Sequence, residues 1–389
     1  MADNVLEFNA SAENKSSHRS LTPSLATSHP YESPSVPRDV LQYLPPNGNP
    51  FSLFGDPYAQ IVYILTTRNV IRRSQYWLQQ REDDNSYTTT EIALLSFLSK
   101  HRCATISQIH RAVFSGEGSR TKVRDFVKRC VDAGVLIPFT WQSPCDHQEP
   151  IDPQNPGEKK KKRPRIYGMS PAACSAAEQL LNLRGRLPRS FKFLPIDYNN
   201  GQNPLMGDIF NTVVANELYC NLFELDRVID WSVGEKILLP NSQEFRTQFI
   251  VKLIKDANDF KVFWIEVIRP RNNWYTYTIN RFQALQKAFS AMSPETRPER
   301  VIIIVDDDSR ISDVAILAEE FMPDVEYRFS TDERTLQGWN DSSLVRWSGN
   351  KLSSAAVAFL RPDHKGMTAS EYRESFKLRE EDLFDDDDY

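Results

Sequence analysis

The sequence is short of the residues that build redox, nucleotide and metal sites. Its five cysteines (Cys103, Cys130, Cys145, Cys174 and Cys220) are an odd number with no CxxC pair. That pattern excludes a disulfide framework and a thiolate zinc site, and it points to a reducing compartment. There is no P-loop, no GxGxxG turn and no paired His/Cys set, so no cofactor, metal site or catalytic residue is expected. No apolar run approaches the ~20 residues of a membrane span. Met1-Ala2-Asp3-Asn4 lacks the basic and apolar stretches that open a signal peptide. A cytoplasmic protein without a membrane partner is the expectation.

What is present is an uneven distribution of charge. The net charge of −5 conceals a basic middle: residues 101–190 hold 16 Lys and Arg against 8 Asp and Glu. The last ten residues hold seven acids, namely Glu380, Glu381, Asp382 and Asp385 to Asp388. The middle calls for a polyanionic partner, and the end for a cationic protein partner or for shielding of the chain's own basic region.

Residues 1–50 are rich in Ser, Asn and Pro and are expected to be disordered, with Arg38 to Leu44 as a short docking element. In the segment 51–85, Asp56-Pro57 reads as an N-cap with proline at the first helical position, opening a lead-in helix to about Gln80. Ile61, Ile64, Leu65, Ile71 and Trp77 would form its apolar stripe, and Arg68, Arg72 and Arg73 its surface. Residues 86–185 carry two capping boxes, Thr88-Thr89-Thr90-Glu91 and Thr105-Ile106-Ser107-Gln108, each opening a helix. The first helix would bury Ile92, Leu95 and Leu98. Ser119 caps a third helix that Gly134 ends. Val135 to Phe139 and Ile166 to Met169 read as paired strands, and Ser170-Pro171 opens a fourth helix. Residues 186–204 read as a linker. Residues 205–336 then follow the order α-β-β-β-α-β-α-β: a helix from Asp208, strands at Val228–Val233, Phe245–Leu253 and Phe260–Ile268, a helix at Ile279–Met292, a strand at Val301–Val305, a helix capped by Ser309, and a strand at Val325–Phe329. Residues 337–389 read as a flexible acidic tail.

The third helix concentrates the chemistry. At 100° per residue, Val123, Phe126, Val127, Cys130 and Val131 share one face. Ser119, Arg120, Thr121, Lys122, Arg124 and Lys128 lie at its start and on the opposite side, with Arg129 and the discordant Asp125. A recognition helix has this construction, with an apolar side on scaffold helices and a polar side that enters the DNA major groove. The loop between the two strands carries Lys159, Lys160, Lys161, Lys162, Arg163 and Arg165, a cationic wing suited to phosphate contact. Four elements in this order make a winged helix-turn-helix that binds double-stranded DNA, and a homodimer reading two half-sites is expected.

The segments Thr89-Thr90-Glu91, Ser107-Gln108-Ile109, Phe114, Arg120, Gly134-Val135-Leu136-Ile137 and Ile166-Tyr167-Gly168-Met169-Ser170 resemble the winged-helix domain of bacterial plasmid replication–relaxation proteins. The resemblance implies an accessory protein of plasmid or conjugative-element replication, relaxation or mobilisation. It also implies that 205–336 is an α/β domain similar to the PD-(D/E)XK nucleases. The overall expectation is therefore an α+β N-terminal domain, an α/β domain and two tails. The nuclease pattern itself is degenerate. Glu266 stands where the second carboxylate would be, but the lysine position is Ile268, followed by Arg269. Phe245-Arg246-Thr247-Gln248 replaces the expected Pro-Asp. An inactive domain is the resulting expectation, with a rearranged metal-dependent nuclease around Glu266, or Glu217 as a helix-borne acid, and a protein-interaction scaffold as alternatives. Asp306-Asp307-Asp308 reads as a strand-to-helix turn, and Cys145-Asp146-His147 lies in the wing loop, where a thiol has no fixed base.

Overall fold

The computed structural model describes residues 52–64, 76–142, 163–182, 206–240, 242–271, 273–349 and 351–375. The expectations for residues 1–50, Arg68, Arg72, Arg73, Cys145-Asp146-His147, Lys159 to Lys162, the linker and the acidic end lie outside these residues. The described chain is a mixed α and β structure with a four-stranded, a seven-stranded and a two-stranded sheet.

The expected helix from Asp56 does not form at its start. Asp56 Oδ1 instead accepts a hydrogen bond from Tyr58 N at 2.8 Å and closes a turn. The next residues make strand β1 (Gln60–Tyr63). Alternation decides this: Ala59 and Ile61 are buried while Gln60 and Val62 are half-buried, which suits a pleated strand. Helical structure appears later, at 76–83. Both capping boxes form as expected. Thr88 opens α1 (Thr89–His101), and Thr105 opens α2 (Ile106–Val113). Helix α3 (Arg120–Asp132) follows, then β3 (Leu136–Gln142), β4 (Ile166–Met169) and α4 (Pro171–Leu180). The three-residue strand β2 (Cys103–Thr105), between α1 and α2, carries too short a pattern to read in sequence. It pairs antiparallel with β4, and the sheet runs β1-β3-β4-β2. On α1 the buried residues are Glu91, Leu94, Leu95, Phe97, Leu98, Ser99 and His101, whereas Ile92 is exposed. The buried stripe is rotated because this helix also packs against the C-terminal half.

That half begins with α5 (Gly207–Glu224) and is built on a sheet of order β13-β12-β11-β10-β9-β8-β5. Strands β5 (Val228–Val233), β8 (Phe249–Asp256) and β9 (Asp259–Val267) form an antiparallel meander. Helix α6 (Trp274–Ala291) leads to β10 (Arg300–Val305), and α7 (Asp308–Phe321) to β11 (Tyr327–Thr331); β9, β10 and β11 are parallel. The strand expected at Phe245–Leu253 is broken. Glu244–Arg246 is β7, paired with β6 (Lys236–Leu238) in a separate hairpin, and β8 starts at Phe249. The N-cap of α7 is Asp307 rather than Ser309: its carboxylate accepts from Ser309 N at 2.8 Å. Residues 337–375 are not a loose tail. The short helix α8 (Asp332–Leu336) precedes β12 (Val345–Ser348) and β13 (Lys351–Ser354), which extend the sheet. Leu344, just before them, and Val357, Phe359, Leu360 and Ala369, after them, are buried.

Helix α5 joins the halves. Its buried Phe210, Val213, Leu218 and Leu222 share one core with Phe54, Ile61, Phe139 and Trp141 on one side and Trp231, Val251 and Phe263 on the other. Its polar residues are matched to α1, β2 and α2. Asn216 Nδ2 donates to the carbonyls of His101 (3.3 Å) and Cys103 (2.7 Å). Its Oδ1 lies 2.8 Å from His101 Nδ1, which must therefore carry the proton. Gln108 Nε2 donates to Val213 O and to Glu217, both at 2.8 Å. Arg111 bridges Glu217, Asn221 (2.5 Å) and Glu224 (2.6 Å). Burial raises the Glu217 carboxyl above its ordinary range, against the pull of Gln108 and Arg111.

His101 is buried against Phe97, Tyr219 and Trp231. Desolvation pushes its imidazole down to about 3. The unfolded chain takes up this proton near pH 6.5, while the folded chain resists it, so the stabilisation is complete above pH 6.5 and is lost as the pH falls towards 3. Between pH 7 and pH 5 the wild-type chain should lose about 2 kcal/mol through this group. Urea titrations at both values check this: His101→Gln should flatten that slope, and an unchanged slope would show that other groups carry it.

Candidate nucleic-acid interface

Helix α3 starts after a turn in which Ser115, Gly116 and Gly118 have positive φ, so the chain reverses tightly before the cap. Ser119 Oγ accepts from Lys122 N at 3.2 Å, so its hydroxyl is engaged as a helix cap. Val123, Phe126, Val127 and Cys130 are buried against α1, β3 and β4 as expected, and Val131 is half-buried. Arg120, Thr121, Lys122, Arg124, Asp125, Lys128 and Arg129 are all exposed. Among the described residues, no acidic side chain pairs with Arg120, Lys122, Arg124 or Lys128, and Asp125 does not pair with Arg129.

The two strands contribute unequally. Arg165 is exposed beside β4 and, with Arg124 and Lys128, rims a groove of about 390 Å³. Ile106, Val127, Val131, Pro138 and Tyr167 line it. Burial raises the Tyr167 phenol above its ordinary range, and the Arg165 guanidinium beside it opposes that shift. Arg163 sits differently. Its guanidinium lies 5.5 Å from the Trp141 ring, and Nη1 donates to Trp141 O at 3.0 Å, so it ties the base of the loop together. The structure thus brings Arg124, Lys128 and Arg165 together, and leaves Arg120, Thr121 and Lys122 at the exposed start of α3. The groove's apolar floor was not anticipated; the alternation of Pro138 with Ile137 and Phe139, and of Tyr167 with Ile166, was the signal for it.

In the C-terminal half, the residues of the nuclease pattern are engaged with partners. Glu266 is fully buried on β9, and both of its oxygens accept from Arg281 on α6, at 2.5 and 2.7 Å. Arg281 also donates to Arg246 O at 2.8 Å and lies 4.8 Å from the Phe245 ring. Burial opposes the charge on Arg281, but the Glu266 carboxylate holds it above its ordinary range. Gln248, opposite Glu266, accepts from Val267 N at 2.9 Å. Arg269 makes a buried two-pronged pair with Asp332, at 2.5 and 2.9 Å. Asp306 is buried beside Arg310 at 3.4 Å, an i,i+4 pair within the strand-to-helix turn. Glu217 belongs to the interface with α2.

No family model and no curated protein matches the chain. Among solved structures it is similar to protein VC1899 from Vibrio cholerae, at 10% identity over 73% of this chain and 57% of that one, with a TM-score of 0.24. The chain thus spans a little over half the length of that structure, and an overlap this loose assigns neither fold nor function.

Removing one member of a buried ion pair leaves the other charge stranded. Arg281→Met should therefore destabilise the protein by ~3–5 kcal/mol. Adding Glu266→Gln to it should recover much of that loss in urea unfolding. Equal losses in the single and double variants would show that the two side chains are not coupled.

Proposed function

We propose that the chain is a DNA-binding accessory or regulatory protein of a bacterial plasmid or conjugative element. It holds duplex DNA through α3 and the loop between β3 and β4, and it does not cleave. The observation that carries this reading is the exposed cationic face of α3, set opposite a face that is core, with Arg124, Lys128 and Arg165 converging on one groove. The order α1-β2-α2-α3-β3-β4, with β4 between β2 and β3, supports a winged helix-turn-helix. In that arrangement the start of α3 reads base edges and the loop cations hold phosphates. Two copies reading two half-sites would set the DNA spacing.

The succession of α5, the β5-β8-β9 meander, α6 and β10 supports a PD-(D/E)XK-like second unit. The two-pronged engagement of Glu266 by Arg281 supports its being inactive, because a hard divalent cation needs carboxylate oxygens turned towards it. The second unit would then serve assembly or further DNA contact.

Selection of bound duplexes from a random library, followed by fluorescence anisotropy, tests the proposal. Arg124→Ala should weaken the selected site by ~1–3 kcal/mol and relax specificity at one position. Lys128→Ala should weaken all duplexes alike and reduce the log–log salt slope by ~0.9. No binding at low salt would overturn the reading. Nicking of plasmid DNA with Mg²⁺ that is lost in Glu266→Ala would replace it with the nuclease.

A further inference from the structure

The groove beside α3 combines a cationic rim with an apolar floor. A sugar–phosphate strand would use its three rim cations but leave most of its floor unused. That floor is apolar and partly aromatic, with Val127, Val131, Pro138 and Tyr167 beneath Arg124, Lys128 and Arg165. At about 390 Å³ it is within the size range of pockets that take a compact organic group. An occupant that matches both parts carries an aromatic or aliphatic pair flanked by several negative charges.

The chain contains such a segment. Leu383-Phe384 is preceded by Glu380-Glu381-Asp382 and followed by Asp385 to Asp388. The acids complement the rim, and the apolar pair complements the floor. The described residues end at Ser375, in a helix anchored where Arg373 donates to Val228 O at 2.7 Å. From there to Leu383 the chain reaches at most about 29 Å when extended, enough to cross a large part of a domain this size. No other stretch of the sequence places an adjacent leucine and phenylalanine within a run of acids.

We propose that residues 380–389 dock in cis into the groove between α3 and β4, with Phe384 on its floor and the acids against Arg124, Lys128 and Arg165. The contact itself does not depend on DNA binding. Its regulatory consequence rests on the reading above: the tail occupies the cations that a duplex would need, so DNA must displace it. Because the attraction is largely between exposed charges, added salt weakens it.

Photocrosslinking in the full chain tests the contact. With p-benzoylphenylalanine in place of Phe384, illumination at low salt should give intramolecular adducts to Val131, Pro138 or Tyr167. Those adducts should fade at high salt and in the chain carrying Arg124→Glu and Lys128→Glu. Adducts elsewhere, or none, overturn the proposal. Adducts between two chains also overturn it, in favour of tail exchange between copies. In the second arm, Phe384→Ser combined with Asp-to-Asn changes at Asp385 to Asp388 should tighten duplex binding about tenfold at low salt. Groove adducts in a chain that binds no DNA would leave docking intact and remove only the DNA reading. Unaltered duplex affinity together with absent adducts would remove docking and leave the DNA reading in place.

Discussion

The constraint on which the molecule depends is the burial of α5 on nearly every side. Twelve of its eighteen residues are buried, against the four-stranded sheet on one side and the seven-stranded sheet on the other. Each large side chain taken out of water here contributes roughly 1.5–3 kcal/mol. A helix that is enclosed must also satisfy its polar groups. Asn216 and Gln108 do this by bonding to backbone carbonyls across the junction, where an unmatched group would cost about 1–3 kcal/mol. The junction is therefore specific as well as apolar. It sets α2, and through α2 the adjoining α3, in a fixed attitude to the larger sheet.

The charges of the protein divide along the same line. In the C-terminal half, arginines are consumed by internal acids: Arg281 by Glu266, Arg269 by Asp332, and Arg334 by Asp308. Burial raises the Asp332 carboxyl, and Arg269 works against that rise. Such pairs hold elements in place and leave little charge to offer a partner. Around α3 the balance is reversed. Arg120, Lys122, Arg124 and Lys128 make no ion pair with an acid among the described residues, Asp125 included, so their charge faces solvent. A chain with a net negative charge can thus present a locally positive surface.

Much of this was legible in the sequence where local chemistry decides. The two capping boxes, Ser119, Gly134 and Ser170-Pro171 fixed the ends of the helices around the candidate interface. The apolar face of α3 followed from its period. What was not legible depends on distant partners. Asp56-Pro57 mimics a helix start, yet β1 forms because Trp141 and Phe139 offer it an edge more than seventy residues later. Strand β2 is three residues long and has no pattern of its own. The order in residues 337–375 comes from pairing with Phe329 and from burial of Leu344 and Leu360, while the acids of residues 380–388 dominate the composition of the tail. At the interface, the cations of α3 could be read from a helical wheel. The separation of Arg163, spent on Trp141, from Arg165, which faces the groove, required the fold.

The segment 52–63 has a further consequence. Phe54 packs on Trp141 and Phe210, Ile61 pairs with Trp141, and the carbonyl of Ala59 accepts from Met206 N at 2.9 Å. As the chain leaves the ribosome, this segment emerges before all of these partners, and Phe210 lies 156 residues downstream of Phe54. Its apolar residues stay unsatisfied until most of the protein has been made, a period in which transiently exposed apolar surface favours aggregation. The earliest residues of the core thus wait for partners that are made long after them.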